Sequence, residues 1–165
     1  MFPPEVDYLY VWRFPITGPV GSDAIPSNFV DACLAVGRDL QCRWYGPDTY
    51  IENCVWRVSL RDTSFCDVAL EAGTRPRHKS AGTTILRGFE FGGPHIEKTA
   101  LELTVWIAGE VQDQLCGGFP FVQWPIEGPR LPAPNERDGR AVWVDPKSQL
   151  VVAQIGELCG SVTSS

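Results

Sequence analysis

Between Cys54 and Ala72 the chain alternates apolar and polar residues with a period of two, and no other feature restricts the fold as much. Cys54, Trp56, Val58 and Leu60 fall on one side of an extended strand, with Val55, Arg57, Ser59 and Arg61 on the other. Successive strand side chains point to opposite faces, so one face packs on a core and the other meets water. Arg61-Asp62-Thr63-Ser64 reads as a turn. Cys66, Val68, Leu70 and Ala72 then point inward, and Asp67 and Glu71 outward. Arg57 and Asp67 are expected to oppose each other as a cross-strand pair on the wet face.

The rest of the chain fits around this hairpin. Tyr8 to Phe14 is β-branched and aromatic on both faces, a strand covered on two sides, and Pro15 stops it. Pro26 and Ser27 open a short helix carrying Phe29, Val30, Cys33 and Leu34 at helical spacing, with Gly37 at its expected end. Leu40, Cys42 and Trp44 alternate again before the turn Gly46-Pro47-Asp48. Gly73 to Gly82 reads as a polar loop, and Thr83 to Phe91 as a strand ended by Gly92-Gly93.

A long helix is expected from Pro94, a residue shaped for the first helical position. Ile96, Ala100, Leu103, Ile107, Val111 and Leu115 give it a continuous stripe, Glu97 complements its positive end, and Gly117-Gly118 closes it. Leu101, Leu103, Val105 and Ile107 also alternate like a strand, but the longer stripe and matched ends favour the helix. Phe119 to Trp124 reads as a strand, and Pro125, Pro129, Pro132 and Pro134 as a rigid connection. Arg140 to Val144, the turn Asp145-Pro146-Lys147-Ser148 and Gln149 to Ile155 make a last hairpin. The fold class expected is α+β, a mostly antiparallel β-sheet packed by one long helix and one shorter helix. It forms a single domain over 1–165, with a flexible tail from about 160.

With 165 residues, 44% of them hydrophobic, the chain can build one sizeable core. No apolar stretch reaches the ~20 residues that span a bilayer. The first residues show neither a basic segment nor an apolar one, so no export signal is read and a cytoplasmic location is expected. In that compartment all six cysteines should remain reduced and structural. A net charge of −6 disfavours nucleic acid and anionic membrane surfaces as partners, and steers a basic protein toward the chain.

Catalytic and metal chemistry find little support in local spacing. The cysteines are not closely paired, and the histidines are only His78 and His95, so neither a metal nor a cofactor is expected. Cys116 and His95 lie at opposite ends of the expected helix, ~30 Å apart at 1.5 Å per residue. Gly88 to His95 places glycines before a helix, but Pro94 removes an amide donor and Glu90 adds the wrong charge for a phosphate. Glu90, Glu97 and Glu102 carry no mark of acid–base work, and Arg75 to Lys79 reads as a solvated loop. No catalytic residue is assigned.

The aromatic residues are more distinctive. Trp44, Tyr45, Tyr50 and Trp56 lie close together with Asp48 and Glu52. The alternation turns Trp44 and Trp56 inward, which leaves Tyr45, Asp48, Tyr50 and Glu52 as candidate partner-binding residues. The expected function is a non-catalytic protein-binding module that occludes a basic partner, in general character similar to bacterial immunity proteins that neutralise a toxin. That likeness is one of character, with no shared motif. The alternatives are a small enzyme or ligand-binding domain with a pocket between helix and sheet, and a subunit that pairs with a copy of itself.

Overall fold

A computed structural model describes residues 8–21, 24–46, 51–61, 64–72, 88–118, 122–126 and 130–160. The alternating hairpin forms as its pattern requires: β2 (Val55–Arg61) pairs antiparallel with β3 (Phe65–Glu71). β1 (Tyr8–Pro15) joins the outer side of β2 and β4 (Phe89–Phe91) the outer side of β3, giving a four-stranded sheet in the order β1-β2-β3-β4. Trp56, Val58, Cys66, Val68 and Leu70 are fully buried on its core face. The register places Ser59 opposite Asp67 and Arg57 opposite Ala69, so Arg57 and Asp67 are not the directly opposed pair expected. Asp67 is also buried, not wet.

Helix α1 spans Ser27–Asp39 and runs through Gly37 without ending there. Gly37 is needed for contact: a Cβ on it would lie 2.0 Å from the Ile16 carbonyl oxygen, which also accepts the Trp56 indole N–H at 3.0 Å. The alternation at Leu40, Cys42 and Trp44 does not become a strand, because the Leu40, Gln41 and Cys42 amides bond back to Val36, Arg38 and Asp39 and prolong the winding. Only Tyr45 pairs in strand fashion, with Gln123.

Helix α2 is Ala100–Gly118, so it begins six residues later than expected from Pro94. Pro94 and Ile96 are used otherwise: the Pro94 carbonyl accepts the Cys66 amide and the Ile96 amide donates to the Ser64 carbonyl, which ties this segment to the start of β3. Thr99 provides the start, its Oγ1 accepting the Glu102 amide at 3.1 Å. Within α2 the stripe Leu103, Ile107, Val111 and Leu115 is buried as expected.

The proline-rich stretch contains a strand the sequence reading missed. β5 (Ala133–Arg137) pairs with β6 (Arg140–Val144), which pairs with β7 (Val151–Gln154), making a second, three-stranded antiparallel sheet. Pro134 is tolerated because β5 is an edge strand. The fold is α+β, with all strands antiparallel among the described residues. Helix α2 meets α1 as well as β5 and β6, and a single buried cluster runs from Phe14 and Trp56 through both helices to Trp143. Among the described residues no helix is long and apolar enough to cross a membrane.

Candidate functional site

Of the four residues expected at a binding surface, two are described. Tyr45 follows the turn after α1 and is held by a two-way backbone bridge to Gln123, both bonds 2.9 Å. Its side chain is 62% exposed. Glu52 is exposed on a short 3-10 turn, Ile51–Asn53, anchored by buried Ile51. Asp48 and Tyr50 lie outside the described residues. Trp56 is fully inward as expected. Trp44 is half-buried: its indole donates to the Leu40 carbonyl and its ring lies 6.2 Å from that of Trp124.

A second exposed surface was not foreseen. The reading of β1 as a strand covered on both sides fails at its first half: Leu9, Tyr10 and Val11 are 54%, 62% and 42% exposed. Among the described residues β1 has a strand neighbour on one side only. The register slips between Tyr8 and Tyr10, and Tyr10 stacks on Trp12 with ring centroids 5.6 Å apart. Three consecutive exposed apolar side chains therefore sit on the edge of a sheet, where unpaired backbone groups can accept another strand.

On the face of this sheet away from the helices, charge is gathered and paired. Arg13 bonds Glu71 at 3.1 Å, and Arg57 lies between Glu71 at 3.6 Å and Glu90. Arg61 grips buried Asp67 through both carboxylate oxygens, at 2.5 and 2.7 Å. The Tyr8 hydroxyl reaches from β1 to Asp67 at 2.9 Å and Glu90 at 3.2 Å. Desolvation, followed by the hydrogen bond to Asp67, pushes its pKa up to about 12, so it serves as a donor and not as a base. A shallow cleft of about 210 Å³ opens beside Arg57, Glu71, Phe89 and Glu90. Arg57 and Arg13 pair with its two carboxylates, Glu71 and Glu90, and these ion pairs link β1, β2, β3 and β4.

The most constrained polar site is Asp39, at the end of α1. It is fully buried. Its carboxylate accepts the Trp143 indole N–H at 2.8 Å and the Gly156 and Leu158 amides at 2.7 and 3.0 Å. Its carbonyl accepts the Trp124 indole N–H at 3.0 Å. Burial raises the carboxyl pKa above its ordinary value, against the pull of the three donors and of Arg38. Beside this node Cys42 and Cys159 form a disulfide, Cα–Cα 5.7 Å, which corrects the expectation that every cysteine stays reduced. Neither feature had a local signal, because Trp143, Gly156, Leu158 and Cys159 are all more than a hundred residues from their partners.

Of the four remaining cysteines three are buried, and Cys116 is half-buried with its Sγ 3.7 Å from the Trp124 carbonyl. Cys33, Cys54 and Cys66 are buried and outside any disulfide. Burial raises the Cys33 thiol pKa, and burial followed by the nearby Asp67 charge raises that of Cys66 to about 11, so neither is an active nucleophile. His95 stacks edge-on against Phe65 at 5.4 Å, and its Nδ1 accepts the Glu97 amide at 3.1 Å. His78 lies outside the described residues. The seam where α2 meets the core is filled by Leu103, Ile107, Val111 and Leu115, each at most 1% exposed. A cleft of about 230 Å³ does open between the two helices and the second sheet, beside Arg38, Thr104, Arg140 and Gln154. No family model matches the chain, and no curated protein or solved structure is significantly similar to it.

Proposed function

We propose that this chain is a non-catalytic protein-binding module that takes up an extended segment of its partner along β1. The observation that carries the reading is the run Leu9-Tyr10-Val11, apolar and exposed on a sheet edge. Soluble proteins usually shield such edges with charge, proline or a covering element. Strand addition would supply backbone hydrogen bonds for affinity, and the Tyr10–Trp12 stack would provide an aromatic anchor for specificity. Tyr45, paired with Gln123, and Glu52, three residues before the start of β2, extend the reading to further exposed contacts. With a net charge of −6, the partner class is a basic protein, and an immunity-type inhibitor of a basic toxin is the specific form of the proposal.

The cytoplasm belongs to this proposal in a restricted form. Standing disulfides are rare in that compartment, so the Cys42–Cys159 bond must there be one that cellular dithiols open and close. Trapping thiols in intact cells by rapid alkylation tests this directly, since a bond fully formed in every molecule would place the protein in an oxidising compartment.

The binding reading is tested with a photo-crosslinking amino acid placed at Tyr10, at Tyr45 and, as a control, at Lys147. Cells of the native host are illuminated and the linked products identified by mass. One basic protein captured from position 10, lost when Val11→Glu is added and released by moderate salt, supports the proposal. Crosslinks no more frequent at position 10 than at 147 refute it, and linkage to a second copy of this chain replaces the basic partner by self-pairing.

A further inference from the structure

The stretch from Ile155 to Gly160 is fastened to α1 in two chemically different ways. Non-covalently, Gly156 and Leu158 donate their amides to Asp39, Arg38 Nε donates to the Gly156 carbonyl at 3.2 Å, and the side chains of Ile155 and Leu158 are buried. Covalently, Cys159 is bonded to Cys42, three residues after Asp39. The covalent link faces outward: Cys159 is exposed, while the carboxylate behind it is sealed. A reagent in solution thus has access to the sulfur before it has access to anything the loop covers.

We infer that the disulfide is a redox latch, whose reduction by a dithiol lets the 155–160 loop open from Asp39 while both sheets stay folded. In the first step a thiolate of the dithiol attacks the Cys159 sulfur. The Cys159–Cys42 bond breaks, Cys42 leaves as a thiolate and takes a proton from water, and a mixed disulfide remains on Cys159. The second thiol of the reagent attacks its own sulfur in that mixed disulfide and expels Cys159 as a thiolate, which is protonated in turn. The protein gains two electrons and two protons, and the dithiol becomes a cyclic disulfide. Once the bond is gone, the loop keeps only its hydrogen bonds and two buried side chains, and water can compete for the Asp39 carboxylate. The β2–β3 hairpin contributes nothing to this joint, so its protection does not depend on it directly.

The test is hydrogen exchange on the full chain in the first minutes after dilution, with and without dithiothreitol. In the oxidised protein the Gly156 and Leu158 amides are protected. In the reduced protein they exchange at least about tenfold faster, while the amides of Val58 and Val68 remain protected throughout the same window. The Cys42→Ser, Cys159→Ser double variant reproduces the reduced pattern and no longer responds to dithiothreitol. Should that variant fail to fold, the dithiol measurement on already folded protein decides alone. Gly156 and Leu158 as protected after reduction as before would overturn the inference, and so would loss of protection at Val58 and Val68 in the same window.

Discussion

Asp39 and Asp67 are both removed from water, yet they are compensated in opposite ways. Asp67 is gripped by Arg61, six residues away across the β2–β3 turn, with a guanidinium still half in solvent. Asp39 is surrounded by neutral N–H donors from one indole and two loop amides, all brought from the other end of the chain. The first arrangement is local, and water can partly replace it. The second holds three elements at one point: the end of α1, β6 and the loop after β7. Burial alone does not decide what a carboxylate is worth; the partners left behind when it is removed decide that.

The sharpest way to break this contrast is Asp39→Ala. Two buried donors and a half-buried one lose this acceptor, and the expected loss is on the order of 4 kcal/mol in urea unfolding, with Asp39→Asn intermediate. Its pH dependence has a defined sign. Because the folded pKa of Asp39 is raised, its contribution is fullest below the ordinary carboxylate value and declines as pH rises through the folded value. The stability difference between the native chain and Asp39→Asn should therefore narrow from about pH 4 upward.

Asp67→Ala comes next, at about 1–2 kcal/mol, since Arg61 rehydrates and the Tyr8 hydroxyl turns to Glu90. A loss as large as that of Asp39→Ala would end the distinction. Ser59 sharpens it from the other side. Its hydroxyl is buried opposite Asp67 without a described partner, so Ser59→Ala should be neutral or gain up to about 1 kcal/mol.

The smallest effect belongs to a carboxylate near the surface. Asp145 accepts the Ser148 and Lys147 amides, which lower its pKa. Its contribution is present above the ordinary value and fades as pH falls through the lowered one. Acid-melting curves of Asp145→Ala and the native chain should therefore converge at the acid end, and curves that diverge there would reverse the assigned sign.

What could be read in advance followed from period and punctuation. The β2–β3 and β6–β7 hairpins and the buried stripe of α2 were legible because each is fixed by residues within a few positions of one another. Pro94 misled because its fitness for a first helical turn says nothing of the competing bond to Cys66, and Thr99 marked the true start. Pro134 disguised β5, since proline argues against a strand unless the strand is known to be an edge. Exposure at Leu9 to Val11 could not be foreseen, because alternation reports which faces could be buried and not whether a neighbour arrives. Tyr45 and Glu52 were rightly placed at the surface. Asp39, Cys42 and Cys159 gave no sign, as their partners are set by the fold and not by spacing.

The sulfur–sulfur link has a mechanical consequence. It makes the chain from Cys42 to Cys159 a closed circuit, with β1 and α1 on a free arm outside it. Force applied between β1 and Gly160 runs through the link and bypasses the circuit, so between these points the oxidised molecule lengthens by unravelling that arm. Stretching would strip β1 from the large sheet and leave β2 as its new margin, whereas the same pull on the reduced molecule would load every strand.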